Sequence, residues 1–271
     1  MSRGGITLSP VAAAYLRDRL DHDLHPMLRV GWLPVGATEQ DRAQAFEAGR
    51  RELQEQGLLQ FDDLDPFLDD AVNLLARPPV AVGLAVQLRD GENYNAVHVE
   101  HGRATVRAVQ PDGQHPEELR EILLSRHEYG GPVGNAVAML GQLKPGPGNS
   151  VSVPYEQVRK AAHKAATSGP QSGFRSAGLR AEDAQALATA FSARRTAEGV
   201  LTVRAYDAKI RRTHTLPYNL QFFATDDGCY MMRKKPGPDG REWFTLAPAE
   251  ARKLTATGEE MVRELRSAAL V

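Results

Sequence analysis

The spacing of hydrophobic positions changes along the chain, and this change predicts a mixture of strands and helices. Between residues 80 and 89, large apolar side chains fill every second position, which is typical of a strand with one buried face. Asp90-Gly91 predicts a turn, and the segments Asn95–His101 and Ala104–Gln110 are expected to continue the sheet as a meander. The same alternation predicts further strands over residues 201–206, 213–225, 229–234 and 242–246.

Apolar positions three and four residues apart predict helices between these strands. Ser9 is a good N-cap and Pro10 a good first helical residue, so a helix is expected to begin there. Thr38 is expected to cap a second helix. The residues expected to face inward on that helix are Ala43, Phe46 and Leu53. Further helices are predicted over residues 63–75, 155–166 and 182–195, and after Pro116 and Pro248.

Glycine and proline divide the chain into two similar halves. Residues 130–150 are rich in both and predict a linker, while Thr167–Ser176 predicts a flexible insert. The halves 1–143 and 144–271 each contain helices, then a strand meander, and then a proline that begins a helix. We therefore expect a single domain over residues 1–271, of α/β (α+β) type. Meander strands pair antiparallel, which argues against a doubly wound nucleotide-binding sheet.

The charged side chains are divided unevenly between these halves. The 33 basic and 34 acidic side chains nearly cancel, which argues against a dedicated nucleic-acid-binding protein. Residues 1–143 carry 13 basic and 21 acidic side chains, whereas residues 144–271 carry 20 basic and 13 acidic. This division indicates two complementary halves of one fold, or a polarised surface that orients a docking partner.

Cysteine usage and hydropathy indicate the compartment. The single Cys229 excludes an internal disulfide framework and CxxC chemistry, and is interpreted as an inert, buried thiol. The longest apolar run, Pro78–Val86, is about half of the ~20 residues that a membrane span needs. Ser9 and Pro10 interrupt the apolar N-terminal stretch, which argues against a signal peptide. We expect a cytoplasmic protein with no membrane insertion.

Neither acidic residues nor histidines show the spacing of a metal site. One acidic cluster lacks the glycine and closing glutamate of a calcium loop, and helix capping explains it better. Its members are Asp62, Asp63, Asp65, Asp69 and Asp70. His98 and His101 lie three apart in a predicted strand, so they face opposite sides and cannot share one metal. We expect no metal and no cofactor.

Motifs of nucleophilic or phosphate chemistry are also missing from the sequence. No GxSxG is present, and the segment 146–149 lacks the GK[ST] ending of a phosphate-binding loop. The chain is therefore expected not to be an enzyme. The alternative is a metal- or His-dependent hydrolase with a scattered site that uses His98, His115 or His214.

Basic residues near aromatic ones leave a second alternative open. Lys209, Arg211 and Arg212 precede an aromatic-rich stretch, and residues 233–235 form another basic run. Such a sheet can bind single-stranded nucleic acid, with Arg211 and Arg212 as contacts. Because these residues fall at predicted hairpin ends, solvated tips are the simpler interpretation, and we expect no nucleic-acid partner.

Three groups of residues, taken in order, resemble one known family. They are residues 24–30 (LHPMLRV) with the apolar and glycine positions that follow up to Pro78, then Pro145–Pro154, and then Trp243–Ala249 before a long helix. This order is similar to that of the EspG proteins, the cytosolic chaperones of type VII (ESX) secretion. One position departs from the family pattern, because Cys229 stands where members usually carry arginine.

The resemblance implies a fold and a partner. The implied fold has a central antiparallel sheet, flanking helices and a quasi-twofold relation between the halves. The implied partners are PE/PPE-type helical secretion substrates, whose apolar hairpin tip the chaperone caps so that they stay soluble for export. Which substrate pair is bound, and whether the chain is a monomer or a dimer, are left open.

Two groups of residues are expected to contact this partner. The first lies in the loop over residues 90–95 and comprises Asn93, Tyr94 and Asn95. The second lies on the sheet and comprises Leu220, Phe222 and Phe223. For the two phenylalanines, burial in the core is the alternative.

Overall fold

One large antiparallel sheet organises the chain. The computed structural model describes residues 5–31, 37–115 and 118–269, apart from the side chains of residues 166, 167 and 269. Within these ranges eleven strands form the sheet, two short strands form a separate hairpin, and eight helices accompany them. Neighbouring strands of the sheet run antiparallel. The predicted α/β fold with a central antiparallel sheet and flanking helices is confirmed.

The elements follow in a regular order. The strands are β1 (Ile6–Leu8), β2 (Leu59–Gln60), β3 (Asp63–Leu64), β4 (Ala81–Leu88), β5 (Tyr94–His101), β6 (Ala104–Pro111), β7 (Ile122–His127), β8 (Val151–Pro154), β9 (Arg195–Asp207), β10 (Arg212–Thr215), β11 (Leu220–Thr225), β12 (Gly228–Pro236) and β13 (Glu242–Pro248). The helices are α1 (Pro10–Leu20), α2 (Glu39–Glu55), α3 (Pro66–Ala76), α4 (Gly131–Ala138), α5 (Tyr155–Ser168), α6 (Pro170–Ser176), α7 (Ala181–Ser192) and α8 (Ala251–Ala269).

The strand order is the same in both halves when it is followed outward from the centre. Across the sheet it is β1-β7-β6-β5-β4-β9-β11-β12-β13-β8, with β10 paired to β9. β4 and β9 meet in the middle, where Ala81 pairs with Arg204 and Val86 with Gly199. Three meander strands follow on each side, and the first strand of each half, β1 or β8, closes the edge. This arrangement is the quasi-twofold relation expected of the fold.

Three clusters of buried side chains join the helices to the sheet. α1, α2 and α3 pack on the first half through residues such as Leu16, Leu53 and Leu75. α5, α6 and α7 pack on the second half on the same side of the sheet, where Leu187 contributes to the cluster. α4 and α8 cover the middle of the sheet from the opposite side, through Val133, Leu254, Met261 and their neighbours.

The helix starts predicted at Ser9 and at Thr38 are confirmed by their caps. The Ser9 side chain accepts a hydrogen bond from the Ala12 amide at 3.1 Å, with Pro10 at the first position of α1. Thr38 and Asp41 form a reciprocal capping box at the start of α2. The third helix, α3, begins at Pro66 rather than at the predicted Asp63, which lies in β3. Asp65 accepts hydrogen bonds from two amides at its start, so capping explains at least this member of the acidic cluster.

The inward face of α2 differs from the prediction. Ala43 and Phe46 are exposed, whereas Ala45, Gly49 and Leu53 are buried. A Cβ atom on Gly49 would lie 2.7 Å from both Tyr15 Cβ and the Val11 carbonyl oxygen, so only glycine permits this contact with α1. The close approach of the two helices rotates Phe46 outward, although its ring still lies 4.6 Å from that of Tyr15.

The prediction of a helix after Pro116 is wrong. Residues 116 and 117 lie outside the described residues, but the segment that follows forms strand β7. Ile122 and Leu124 are buried while Leu123 is exposed, so the period is that of a strand.

Two segments interpreted as linker and flexible insert also contain helices. Within residues 130–150, α4 buries Val133, Ala136 and Val137 against the sheet. The proposed insert Thr167–Ser176 mostly forms α6, whose Phe174 is buried among the helices of the second half. Gly173 permits this packing, because a Cβ there would lie 2.7 Å from the Ala165 amide nitrogen. Small residues therefore serve helix contact here rather than flexibility.

Candidate functional site

The central strands leave one side of the sheet partly open between the two groups of helices. On this side Ala85 of β4 and Val200 and Thr202 of β9 are partly exposed. Their neighbours on the opposite side, Leu84 and Leu201, are buried under α4 and α8. We call the open strip the central groove. Its residues are Ala85, Gln87, Arg195, Glu198, Val200, Thr202, Arg204, Gln221 and Met232.

Three cavities lie in succession along this groove. Their volumes are about 300, 310 and 360 Å³, and they follow β9 from Arg195 to Arg204. At about 3.4 Å per residue, the groove runs for about 30 Å along the strand. These dimensions suit an elongated protein segment better than a compact small molecule.

The middle of the groove has an apolar floor. Ala85, Val200 and Met232 line the central cavity. Phe222 reaches the same cavity from the buried side, because its ring lies across Gly199, where a Cβ would come within 2.4 Å of ring atom Cζ. Because Gly199 has no side chain, the otherwise buried Phe222 ring forms part of the floor of the groove.

One end of the groove carries an ion pair beside a polar loop. Arg195 is ion-paired with Glu198, and its guanidinium lies over the Phe223 ring, 4.7 Å from the centroid. Asn93 lines the adjacent cavity, and its side-chain oxygen accepts a hydrogen bond from the Leu88 amide at 2.8 Å. This hydrogen bond fixes the loop between β4 and β5 at the rim.

The other end of the groove is formed by the segment after α1. Leu28 anchors this segment in the core. The Gln110 side chain holds it by accepting a hydrogen bond from the Arg29 amide at 2.7 Å and donating one to the Arg29 carbonyl at 3.0 Å. Met27 packs against Gly83, where a Cβ atom would lie 2.1 Å from the methionine sulfur.

This anchored segment places His25 beside Arg204 at the end of the groove. Both residues line the cavity of about 360 Å³, together with Thr202 and Thr215. Burial, and secondarily the positive charge of Arg204, lowers the pKa of His25 to about 3, so the ring is neutral at physiological pH. The end of the groove thus presents one guanidinium charge and one neutral imidazole.

The predicted loop residues divide between the two sides of the sheet. Asn95 pairs with Ala85 on the groove side, where its amide donates to Asp112 at 3.0 Å. Tyr94 pairs with Val86 and packs against the core on the opposite side, and its burial raises its pKa. Only Asn93 of the three lines a groove cavity.

The structure buries the predicted sheet residues. Leu220 and Phe223 are fully buried and Phe222 is 4% exposed. Phe223 stacks between Phe191 and Tyr230, while Leu220 and Phe222 belong to the core under α8. Their burial favours the core alternative, in which they support the groove from below.

Sequence patterns did not single out Val200, Thr202 or Arg204 as site residues. Their alternation with Leu201 and Val203 is that of any strand with one buried face. A glycine inside a strand was the available signal, since it often marks a close approach of another backbone or side chain. Gly83 and Gly199 are two such positions, and both lie at the groove.

The histidines proposed for a scattered hydrolase site are not brought together. His98 lies on β5, fully buried, and neither of its ring nitrogens has a hydrogen-bond partner. His214 lies on β10, which is separated from β5 by β4 and β9, and His115 is exposed on a loop. Among the described residues, no group of three His, Cys, Asp or Glu side chains could hold a metal ion.

The thiol of Cys229 is buried in the core. Its side chain is 1% exposed, and burial raises its pKa to about 11.

The basic run over residues 233–235 forms ion pairs within the second half. Arg233 and Lys235 pair with carboxylates of α8, and Lys234 pairs with Glu242. These cations are therefore largely neutralised, whereas Arg211 is exposed in the turn before β10 and Arg212 is exposed at the first position of β10.

The described ranges contain no helix that combines the length and the apolar character needed to cross a bilayer.

The fold is similar to that of a solved secretion chaperone. EspG5 of the Mycobacterium tuberculosis type VII secretion system, solved in complex with the PE25–PPE41 dimer, matches with a TM-score of 0.69. The match covers 96% of this chain and 96% of that chain at 18% sequence identity. It shows that the two chains share a fold, including the sheet that carries the central groove.

Two other solved structures match far more weakly. A dehydratase from type I polyketide synthases matches with a TM-score of 0.22 and 10% identity, over 68% of this chain and 80% of that chain. The Drosophila melanogaster peroxisomal multifunctional enzyme type 2 matches with a TM-score of 0.18 and 12% identity, over 90% of this chain and 48% of that chain. Similarity at this level supports no inference.

The sequence itself provides the assignment. None of the curated protein sequences matches this chain. The model of the EspG family, in contrast, matches residues 9–259, which include every described strand of the large sheet except β1 and the whole central groove. The chain belongs to the EspG family.

Proposed function

We propose that this chain is a secretion chaperone that binds PE/PPE-type helical substrate proteins in the cytosol and keeps them soluble for type VII export. The observation that carries the proposal is the family match over residues 9–259. The fold shared with EspG5, which was solved with a bound PE25–PPE41 dimer, supports the same class of partner. The chaperone acts by binding and has no catalytic step.

The central groove is the surface on which we place this partner. Its apolar floor at Ala85, Val200 and Met232 offers a place for the apolar side chains at the tip of a helical hairpin. Left uncovered in the cytosol, such a tip would associate with other apolar surfaces. Cover by a folded protein removes that surface from water and prevents self-association.

The polar ends of the groove give the docking its register. Asn93 remains a proposed partner contact, because it lines the cavity at one end. Asn95 is proposed to hold the loop through Asp112, and Tyr94 to hold it from the opposite core. Leu220, Phe222 and Phe223 contribute by supporting the strand that forms the floor.

Co-expression tests the proposal. The chain is produced together with a PE/PPE-type helical pair encoded beside its gene, and the product is analysed by size-exclusion chromatography with light scattering. We expect a complex of fixed stoichiometry, and a helical pair that aggregates when the chaperone is left out. If the pair is equally soluble alone and elutes separately from the chaperone, the proposal is wrong.

A further inference from the structure

Arg204 is a half-buried cation that lacks a counter-ion within the described residues. Its side chain is about half buried at the end of the central groove, and its Nε is buried without a hydrogen-bond partner. Within the described residues, the guanidinium forms no ion pair with any carboxylate. Desolvation accordingly lowers the pKa of Arg204. A partly desolvated guanidinium without a partner is unusual, because burial of unpaired charge costs free energy.

His25 carries a second unpaired donor beside the same cavity. The side chain is 3% exposed, and its Nδ1 accepts a hydrogen bond from the Met27 amide at 3.3 Å. Because Nδ1 accepts, the proton of the neutral ring resides on Nε2. Nε2 is buried and has no hydrogen-bond partner. The ring therefore offers an N–H donor that nothing in the described chain accepts.

No side chain that lines the cavity is a negatively charged acceptor for these two donors. Its other polar side chains are Thr202, Thr215, Tyr218 and Asn219, and none of the lining residues is acidic. The Tyr218 hydroxyl is already engaged, since it donates to Glu264 of α8. With about 360 Å³, the cavity has room for a side chain rather than for one water molecule alone.

We propose that the cavity formed by His25 and Arg204 binds a carboxylate side chain of the helical partner that docks in the central groove. A carboxylate has two acceptor oxygens, so it can accept from the guanidinium and from His25 Nε2–H at once. The contact would fix the partner's register at this end, while the apolar floor supplies the remaining affinity. This inference rests on the proposed function, because it specifies one contact of the same groove.

Arg204→Met tests the inference, with Arg212→Met as the matched control. Both variants remove one guanidinium from neighbouring strands, but Arg212 is exposed and lines none of the groove cavities. We expect Arg204→Met to weaken binding of the co-expressed helical pair about 30-fold, and Arg212→Met to change it less than about threefold. Affinity is measured by calorimetry at two salt concentrations.

Thermal unfolding of the free variants separates binding from structure. Removing an unpaired, half-buried cation should leave the Tm of Arg204→Met equal to or above that of the wild type. A merely structural arginine would lower the Tm when replaced. A Tm that falls by several degrees would indicate a structural arginine, and an affinity equal to that of Arg212→Met would indicate a cavity that holds only water. Either result would overturn the inference.

A double-mutant cycle identifies the carboxylate. Each acidic residue near the partner's hairpin tip is changed to its amide and combined with Arg204→Met. One partner substitution should weaken binding to the wild type but have no further effect on Arg204→Met. If every pair of substitutions is additive, the inference is wrong while the proposed function stands. If the wild-type chain forms no complex, both fail together.

Discussion

Arg266 in the last turn of α8 donates from Nη2 to both carboxylate oxygens of Glu100 on β5, at 2.8 and 2.7 Å. Among the ion pairs of the described residues, this one joins the basic second half to the acidic first half. The remaining pairs connect residues within one half. Ion pairs between the halves therefore neutralise little of the uneven charge, and the antiparallel pairing of β4 with β9 joins the halves instead.

Arg266→Ala is expected to lower the free energy of unfolding by less than about 1 kcal/mol. Both side chains are partly exposed, and a surface ion pair of this kind contributes little. Urea unfolding measures the change, and Arg252→Ala on the exposed face of the same helix is the control. A loss of several kcal/mol would show that this ion pair, rather than the apolar core, holds the halves together.

Gly49→Ala is expected to destabilise the fold by about 1–3 kcal/mol, because the new methyl group would overlap Tyr15 and the Val11 carbonyl. Gly134→Ala in α4 is the matched control, since nothing lies within 4 Å of the position of its Cβ. There alanine should stabilise the helix by about 0.5–1 kcal/mol. Opposite signs of the two changes in Tm are the test, and equal signs would contradict the packing described for α1 and α2.

The sequence predicted the elements with strong periodicity and missed those whose local signals conflict. β4 was found because its large apolar residues alternate without interruption, and β5 and β6 were found because the turn residues Asp90-Gly91 and Gly102 mark their ends. β7 was missed, because residues 116–118 (PEE) are typical of a helix start, whereas burial of Ile122 and Leu124 is decided by pairing with β6 and β1. Tertiary context overrode the local preference at that segment.

The groove could not be predicted for a different reason. Its floor combines Ala85 and Val200, which are far apart in sequence and meet only because β4 pairs with β9. No local pattern states which side of the central strands the helices leave open. The same difficulty applies to His25 and Arg204, because only the folded structure shows that their buried nitrogens lack hydrogen-bond partners.

The stability of the protein should fall as the pH decreases from 6.5. Burial, followed by the charges of Arg107 and His127, lowers the pKa of His98 to about 3, and His25 is lowered to a similar value. Both rings are neutral in the folded state, while the unfolded chain takes up protons below pH 6.5. The stability that these two histidines contribute by staying neutral is therefore fully present above that pH and is lost as the pH falls from about 6.5 to 3. At pH 5 the free energy of unfolding should be lower by about 2 kcal/mol per histidine.

His98→Leu tests the origin of this pH dependence. Free energies of unfolding are measured in urea at pH 7.5 and pH 5.0 for the wild type and the variant. The variant should lose about 2 kcal/mol less than the wild type on acidification, because one buried group no longer titrates. His163→Gln, at an exposed position of α5, controls for the removal of a histidine as such. Equal losses in the wild type and His98→Leu would contradict the assignment.

Val200→Asp should abolish partner binding without unfolding the chaperone. Val200 is partly exposed at the middle of the groove, so the free protein can hydrate a carboxylate there. In the complex the same carboxylate would be buried against the apolar tip of a helical hairpin without a counter-ion, which is strongly unfavourable. We expect affinity for the helical pair to fall at least about 100-fold, measured by calorimetry on purified components.

Ile210→Asp provides the matched control for this change. Ile210 is also apolar and is 60% exposed, but it lies in the turn between β9 and β10 and lines none of the groove cavities. Its replacement adds the same charge to the same region of the chain and should leave affinity within about threefold of the wild type. If both variants bind with the affinity of the wild type, the partner lies elsewhere on the surface. Equal losses of affinity in both variants would indicate repulsion by charge at long range. Only a loss confined to Val200→Asp shows that the apolar floor itself is covered when the partner binds.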